Sequence, residues 1–171
     1  NVAPCVIGGI VIAALDGGEV TSARIDPPPA VAAVVAVPCF EVRTSKARRV
    51  LTERVARADA VYNLGRVGLL MAGFMRGDFS LLQTGMRDRL HQPERAALVP
   101  GMTEVLAAAE EAGALGAALS GAGPTLLALV AGEPEPVAAA MSAAWAGRGI
   151  VARTMVLDLE GTGVQVKGHD C

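Results

Sequence analysis

The chain has 171 residues, and because only 3% are aromatic against 52% hydrophobic, its core must be built from aliphatic side chains. Its 15 basic and 17 acidic residues leave no basic excess, which excludes the usual electrostatic footprint of a nucleic-acid-binding protein. No apolar run reaches the roughly 18 residues that span a bilayer, and the scattered cysteines fit a reducing compartment better than a disulfide framework. With so few histidines, no standard zinc site is expected. We therefore expect a cytoplasmic protein with neither nucleic acid nor membrane as a partner.

The first 40 residues predict a helix followed by strands. The chain begins at Asn1 without an initiator methionine and enters an apolar segment at once, which we interpret as the truncated start of a longer protein. The predicted elements are a helix at 2–7 and strands at 10–15, 20–25 and 31–37, with a turn at Asp16-Gly17-Gly18. If partner strands are missing from the chain, apolar surface should be exposed along 10–15 and 31–37.

From residue 41 onward the pattern mixes helices with strands. Thr44 or Ser45 is a candidate N-cap for a helix that continues to Leu51. Apolar spacing predicts helices at 54–75, 102–112 and 136–145, a short helix near 81–82, and strands at 116–119, 126–130, 150–157 and 163–166. This βαββαβ-like order predicts an α+β protein with a ferredoxin-like plait, divided into residues 1–40 and residues 41–171.

The most informative segment is the small-residue loop at 120–125, Ser-Gly-Ala-Gly-Pro-Thr, which lies between two predicted strands. Its glycines leave the backbone open to close approach by a ligand, and exposed N–H groups in such a loop can bind an anion. It is not a P-loop, because no Gly-Lys-Ser/Thr sequence follows. A generic glycine-rich turn is more often a tight strand connection in which glycine only provides a positive φ angle. The loop alone leaves both interpretations open.

Two arginines are candidates for binding a carboxylate. Arg48 follows Thr44 by four residues, so both side chains project from one face of the predicted helix. Arg95 lies in the segment 91–100, which its prolines should keep from forming regular helix. A guanidinium group can bind a carboxylate through two parallel hydrogen bonds, although a solvated surface position is the usual fate of arginine. His91 has no visible catalytic partner and is best interpreted as a structural residue.

Taken together and in order, four segments resemble the homoserine kinases of the GHMP superfamily. Asn-Val-Ala-Pro at 1–4 with Gly-Gly at 8–9 is similar to the end of that family's His-x-Asp-Asn-x-Ala-Pro and Gly-Gly sequences. Thr-Ser-Lys-Ala-Arg at 44–48 is similar to its Ser-Thr-x-x-Ala-Arg segment. Asp-Arg-Leu-His-Gln-Pro-Glu-Arg at 88–95 is similar to its Asp-x-(Leu/Val)-His-x-Pro-Tyr-Arg segment. The loop at 120–125 matches the third GHMP motif, Ser-Gly-(Ala/Ser)-Gly-Pro-(Thr/Ser).

This resemblance implies an ATP-dependent phosphorylation of the L-homoserine side-chain hydroxyl, a step toward threonine, with Mg²⁺ and without a strong side-chain base. It also implies the end of a ribosomal S5 domain 2-like N-terminal domain followed by a GHMP kinase C-terminal domain of ferredoxin-like fold, and it leaves a homodimer open. The implied roles are carboxylate binding by Arg48 and Arg95, a homoserine contact by Asn1 and Gly121, a position near the transferred phosphate for Thr44, and closure of the site next to ATP by Ser120, Gly121, Ala122 and Gly123.

Three departures from the family pattern affect what the chain is expected to do. Glu94 stands where the family has an aromatic residue, which places a negative charge beside Arg95, and Arg43 stands where the family has serine. The Pro-x-x-x-Gly-Leu-Gly-Ser-Ser motif, which wraps the phosphates at a helix N-terminus, is absent from the sequence, as are the residues expected to bind the metal. We therefore expect the intact parent protein to be the enzyme and the chain by itself to be inactive.

Two alternatives stay open on the sequence. Another GHMP small-molecule kinase, such as a mevalonate-pathway or galactose-type kinase, would share the loop at 120–125, but a neutral sugar has no carboxylate for Arg48 and Arg95. A non-enzymatic ligand-binding module of ferredoxin-like shape would need no triphosphate loop upstream. Measuring ATP turnover with homoserine and with mevalonate would distinguish the first alternative from a homoserine kinase. The sequence upstream of Asn1 would distinguish the second, because an enzyme needs a triphosphate-binding loop there.

Overall fold

The computed structural model describes residues 2–166. Its elements in chain order are α1 (Val2–Ile7), β1 (Ile10–Asp16), β2 (Glu19–Ile25), β3 (Val31–Pro38), α2 (Thr44–Arg49), α3 (Arg57–Arg76), α4 (Leu82–Gly85), α5 (Gln92–Arg95), α6 (Met102–Glu111), β4 (Gly116–Leu119), β5 (Leu126–Ala131), α7 (Glu135–Ala146) and β6 (Ala152–Asp158). Short 3₁₀ turns, Phe79–Leu81 and Ala96–Leu98, precede α4 and follow α5. Across residues 2–166, no helix has both the length and the hydropathy to cross a membrane.

β3 is a central strand of an antiparallel four-stranded sheet whose order is β4-β5-β3-β6. Ala32 lies opposite Val130 of β5 on one side and opposite Asp158 of β6 on the other. With helices between β3 and β4 and with α7 between β5 and β6, the chain from β3 onward follows a βαββαβ order. The predicted α+β class is confirmed.

The sequence of β3 explains its central place. It reads Val-Ala-Ala-Val-Val-Ala-Val-Pro, which is apolar throughout, so both faces of the strand can be buried. Val34 and Ala36 belong to the core beneath α6 and α7, and Val31 and Ala33 pack on the other face against α3 and α4. The expectation of exposed apolar surface here was wrong, because β5 and β6 cover both edges of the strand. The predicted division at residue 40 groups β3 with the first part of the chain, although its ladders join it to strands that follow residue 41.

β1 and β2 form a separate two-stranded antiparallel hairpin. Gly17 and Gly18 connect them with φ angles of +55° and +92°, the left-handed conformation that a two-residue hairpin loop favours. Leu15 and Val20, near the tip, are 74% and 62% exposed, so the expected exposure of apolar surface along this segment is confirmed. At the base of the hairpin, Ile10 packs against the α3 side of the core.

Two features of the structure differ from the sequence prediction because of local interactions: the start of α2 and the segment 163–166. α2 begins at Thr44 with Arg43 as its N-cap residue, and no side chain caps the helix, so the predicted caps at Thr44 and Ser45 are wrong. Residues 163–166 do not form the predicted strand. This segment donates a backbone N–H to the carbonyl of Val6 in α1, and it therefore lies against a helix rather than along a sheet edge.

The only tryptophan of the sequence anchors the larger core. Trp145 of α7 is fully buried, and its indole Nε1 donates a hydrogen bond of 2.9 Å to the carbonyl oxygen of Pro100. Gly101, the N-cap residue of α6, has a φ angle of +81°, and a Cβ atom there would lie 3.1 Å from the indole ring. Trp145 therefore fixes the connection that leads from α5 into α6.

Replacing Trp145 with phenylalanine should destabilise the fold. The change removes the hydrogen bond to Pro100 and leaves part of the indole volume empty, which together cost about 2–4 kcal/mol of unfolding free energy. Urea titration followed by far-UV circular dichroism measures this free energy, since the variant has no tryptophan fluorescence. Val151→Ala, at a position 73% exposed, is the control and should change stability by less than about 0.5 kcal/mol. A Trp145→Phe loss no larger than that of the control would contradict this account of the core.

Candidate active site

The elements α2, α5 and β4, together with the loop at 120–125, surround an open cleft of about 650 Å³. Apart from Met86 and Leu119, which are apolar, the residues that line it are charged, polar or small: Thr44, Arg48, Asp88, His91, Gln92, Arg95, Ala118, Gly121 and Ala122. The cleft therefore brings the two predicted arginines to the predicted glycine loop, although these residues are far apart in the sequence.

α2 contributes two exposed side chains to the cleft, Thr44 and Arg48, one helical turn apart. The helix is held by Ala47, which is fully buried, whereas Thr44 and Arg48 are both exposed. Because the N-terminus of α2 has no side-chain cap, the Thr44 hydroxyl is not used by the helix. It is therefore available to a ligand in the cleft.

Arg95 joins three segments of the chain. Its Nε donates a hydrogen bond of 3.1 Å to the carbonyl oxygen of Ala47 in α2, and its Nη1 donates one of 2.9 Å to the carbonyl oxygen of Gly121. These bonds use two of the five N–H groups of the guanidinium and leave others on its outer edge for a ligand. Arg95 thus holds α2 and the glycine loop in fixed positions around the cleft.

α5 shows why prolines did not prevent helix in the segment 91–100. Pro93 lies in the first turn of α5, where its missing N–H costs no helical hydrogen bond. One turn of α-helix forms at Gln92–Arg95 and a 3₁₀ turn follows at Ala96–Leu98. The prediction that prolines keep this segment from forming regular helix is therefore wrong for Gln92–Arg95 and holds for the rest.

Glu94, which we expected to place a negative charge beside Arg95, instead binds the segment after α2. Its Oε2 accepts the backbone N–H of Thr52 and its Oε1 accepts the Thr52 hydroxyl, each at 2.8 Å. Glu94 does not line the cleft. Its carboxylate therefore helps to attach α5 to the end of α2 rather than competing for a ligand of Arg95.

The loop at 120–125 closes on itself through two backbone hydrogen bonds. The N–H of Ser120 donates to Thr125 at 2.9 Å, and the N–H of Gly123 donates to Ser120 at 3.0 Å. Among residues 2–166, no backbone carbonyl accepts the N–H groups of Gly121 and Ala122. Both of these residues line the cleft, so their N–H groups suit an anion bound there.

Asp88 is a residue of the cleft that we did not predict. Its Oδ1 accepts hydrogen bonds from Asn63 Nδ2 at 2.6 Å and from the Leu90 N–H at 2.8 Å. Its Oδ2 accepts the N–H groups of His91 at 2.8 Å and of Gln92 at 2.6 Å. Burial raises the pKa of the Asp88 carboxyl, but these hydrogen bonds outweigh burial and hold the pKa below its ordinary value. The group is therefore ionised at neutral pH.

Gln92 connects α5 to the strand that leads into the glycine loop. Its Oε1 accepts the N–H of Leu119, at the end of β4, at 2.8 Å, and its Nε2 donates to the carbonyl of Met86 at 3.4 Å.

His91 lines the same cleft, but its Nδ1 is 3.8 Å from the Asp88 carboxylate, which is longer than a hydrogen bond. Gln92 therefore shapes the cleft wall, whereas the His91 ring is left exposed beside it.

Asp88, the only acidic side chain that lines the cleft in the described part of the chain, is not free to bind a magnesium ion. Within residues 2–166, no three histidine, cysteine or acidic side chains are grouped closely enough to hold a metal. Both oxygens of Asp88 already accept two hydrogen bonds each. Asp88 is therefore a structural acceptor in this cleft rather than a metal ligand.

Comparison with known proteins relates the chain to one group of kinases. Residues 70–147 match the family described as GHMP kinases C terminal. The homoserine kinase of Moorella thermoacetica is 47% identical over 150 residues, which cover 88% of this chain and 51% of that protein. The homoserine kinase of Desulfitobacterium hafniense is 42% identical over 167 residues, which cover 97% of this chain and 56% of that protein. The chain belongs to the homoserine kinase family of the GHMP kinases.

A solved structure of the homoserine kinase family agrees with the fold. The crystal structure of homoserine kinase from Cytophaga hutchinsonii matches with a TM-score of 0.89 at 33% sequence identity, covering 95% of this chain and 52% of that chain. The chain spans about half the length of the relatives it matches. The predicted family is confirmed, and with it the mixed α+β fold of a GHMP kinase C-terminal domain.

The remaining predicted residues of this homoserine kinase family member lie at the margin of the cleft or beyond the described part of the chain. Ser120 and Gly123 belong to the loop but do not line the cleft, and their N–H groups bond within the loop. Asn1 lies outside residues 2–166, and its contact with homoserine stays a prediction.

Two glycines of the loop should respond differently to substitution by alanine. Gly121 has a φ angle of +56° and open space where a Cβ atom would lie, whereas Gly123 has a φ angle of +83° and a Cβ there would lie 2.9 Å from Leu119 Cδ1. We expect Gly121→Ala to lower the unfolding free energy by about 1 kcal/mol, the cost of a left-handed conformation for alanine. Gly123→Ala should cost about 1 kcal/mol more, because the Leu119 side chain must also move. Urea titration measures both values, and equal losses would contradict this difference.

Proposed function

We propose that the protein transfers the γ-phosphate of ATP to the side-chain hydroxyl of L-homoserine, giving O-phospho-L-homoserine for the biosynthesis of threonine. The observation that carries this proposal is the convergence of Arg48, Arg95 and Gly121 on one cleft, in a chain whose relatives are homoserine kinases. An amino-acid carboxylate and a triphosphate are both anions. The cleft offers guanidinium groups for the first and backbone N–H groups for the second.

The two arginines suit the α-carboxylate of homoserine. Arg95 is oriented by its bonds to the Ala47 and Gly121 carbonyls, so its remaining N–H groups are presented in a fixed direction. Arg48 reaches the same cleft from α2. Hydrogen bonds between charged groups are stronger than neutral ones, and a substrate without a carboxylate would leave both cations without an anion. The pair therefore selects for an amino acid over a simple alcohol.

The loop and Thr44 suit the phosphate side of the reaction. The N–H groups of Gly121 and Ala122 would donate to phosphoryl oxygens, with Ser120 and Gly123 supporting the loop that carries them. The Thr44 hydroxyl lines the same cleft and would lie near the transferred group. Residues 2–166 contain no group of three metal-binding side chains, and the sequence lacks the glycine-rich phosphate motif. The proposal assigns Mg²⁺ binding and that motif to the part of the relatives' length that this chain does not span.

The chemistry asks mainly for positioning. In the transfer, the homoserine hydroxyl oxygen forms a bond to the γ-phosphorus while the bond from that phosphorus to ADP breaks, and the hydroxyl proton is released to water. Orientation and neutralisation of charge provide most of the catalysis in such reactions. A strong side-chain base is therefore not required of His91, whose ring has no hydrogen-bonded carboxylate among the residues that the structure describes.

We assign the first part of the chain to the expected N-terminal domain. α1 and the β1–β2 hairpin would form the end of a ribosomal S5 domain 2-like domain, which the prediction extended to residue 40. The ladders of β3 support a boundary in the connection at 26–30 instead, because this strand pairs with β5 and β6. The GHMP kinase C-terminal domain would then begin with β3.

Substrate preference tests the proposed reaction. The protein expressed from its complete reading frame is assayed for ADP release with L-homoserine, with mevalonate and with 3-aminopropan-1-ol, which is homoserine without its carboxylate. We expect kcat/KM for homoserine to exceed both others by at least about 100-fold. 3-Aminopropan-1-ol leaves both arginines without an anion, and mevalonate has a carboxylate but a different spacing and no amino group, so its hydroxyl would be placed differently. Preference for mevalonate would favour another GHMP kinase. Binding without ATP turnover would favour a ligand-binding module.

Arg48→Ala should weaken homoserine binding selectively. Loss of one charged contact to the carboxylate corresponds to about 10- to 100-fold in the KM for homoserine, whereas the KM for ATP should change by less than about twofold. Steady-state kinetics with each substrate varied in turn measures both values. Arg49→Ala is the matched control, since Arg49 is the next residue of α2 and does not line the cleft. Equal increases in both KM values for Arg48→Ala would count against carboxylate binding.

A further inference from the structure

We propose that Asp88 is a positioning residue for homoserine binding: it fixes the turn that carries Gln92 and Arg95 into the cleft. This inference rests on the proposed function. All the hydrogen bonds of the Asp88 carboxylate described above come from the protein, two to each oxygen. The residue therefore acts through its neighbours and not by direct contact with substrate.

The need for Asp88 follows from the shortness of α5. A four-residue helix cannot hold itself in place, because a first helical turn is costly to form. The N–H groups of Leu90, His91 and Gln92 precede Pro93, which has no N–H, so they are the donors that require an acceptor at this helix start. Asp88 accepts all three, and its carboxylate thereby determines where α5 begins and which way it points.

The position of α5 is transmitted to the cleft by two side chains. Gln92 accepts the N–H of Leu119, immediately before the glycine loop. Arg95 donates to Ala47 of α2 and to Gly121 of the loop. A shift of α5 by about 1 Å would lengthen all of these bonds beyond hydrogen-bonding distance. The guanidinium edge that meets the homoserine carboxylate would move with them.

α3 provides the fixed reference to which Asp88 is attached. Asn63, in this 20-residue helix, donates its Nδ2 to Asp88 and accepts the Arg89 N–H at its Oδ1 at 3.0 Å. The preceding residue, Tyr62, reinforces the attachment, because the guanidinium groups of Arg89 and Arg66 lie 3.9 and 4.1 Å from its ring centroid. One helical segment of α3 thus holds Asp88 and the residue that follows it.

An exchange of the two partners tests this positioning. Asp88→Asn replaces one carboxylate oxygen with an NH₂ group. In either orientation of the amide, this NH₂ faces Asn63 Nδ2 or backbone N–H groups, so two hydrogen-bond donors face each other. Asn63→Asp places a second carboxylate beside Asp88, and like charges at that distance repel. In the double variant, the new carboxylate at position 63 can accept a hydrogen bond from the new amide at position 88. The amide oxygen at position 88 can still accept the N–H groups of His91 and Gln92, so most of the network is restored with donor and acceptor exchanged.

We expect Asp88→Asn to raise the KM for homoserine at least about 10-fold with less than about a twofold change in the KM for ATP. The double variant should recover most of that loss, as expected for residues in one hydrogen-bond network. Asp78→Asn is the matched control, because Asp78 also precedes a short helical turn and accepts a hydrogen bond, from Ser80, but lies outside the cleft. It should leave both KM values unchanged.

A second variant and a second readout keep the test decisive if Asp88→Asn does not fold. Asn63→Ala removes one donor and leaves Asp88 its three backbone N–H partners, so a smaller but still homoserine-selective rise in KM is expected. Equal effects on both substrates in Asp88→Asn and Asn63→Ala, or no recovery in the double variant, would overturn the positioning role. Amide hydrogen exchange of Leu119 reports on the Gln92 bond without catalysis and should accelerate at least about tenfold in Asp88→Asn. If the wild-type protein phosphorylates no homoserine, the proposed function fails, and unchanged exchange at Leu119 would separately overturn the role of Asp88.

Discussion

One guanidinium group holds the candidate active site together. Arg95 donates to the carbonyl of Ala47 and to the carbonyl of Gly121, so a single planar side chain sets the distance between α2 and the glycine loop. Lysine could not replace it, because an ammonium group offers no rigid fork of donors in one plane. The same residue is the proposed ligand of the substrate carboxylate. Structure and binding therefore depend on different N–H groups of one side chain.

The sheet and the cleft are connected through short segments rather than through long helices. Trp145, buried under the sheet, bonds to Pro100 at the end of the segment that contains α5. At the other end of the same segment, Asp88 is bound to α3 through Asn63. The chain from Asp88 to Pro100 has little regular structure of its own, and its geometry is set by anchors in the core at one end and in α3 at the other.

Local structure could be predicted from the sequence, whereas strand pairing could not. The apolar run at 31–38 reads clearly as a strand, but nothing in its own residues indicates that its partners lie near residues 130 and 155. The arginines and the glycine loop were candidates from their own chemistry, and their match to motifs of a family gave them specific roles. Asp88 was in one of those motifs and was passed over, although an acidic residue shortly before a proline-containing first turn is a recognisable capping pattern. When a motif is examined only for ligand-binding residues, the residues that hold those side chains in position are missed.

The place of β3 in the sheet has a consequence for synthesis of the chain. Ala32 must pair with Val130 and Asp158, and both partners are made much later than β3 itself. β5 leaves the ribosome only after α6, and β6 only after α7, so an apolar, aggregation-prone segment waits unpaired while they are made. The edges of β3 therefore stay unpaired in the nascent chain until β5 and β6 have been synthesised.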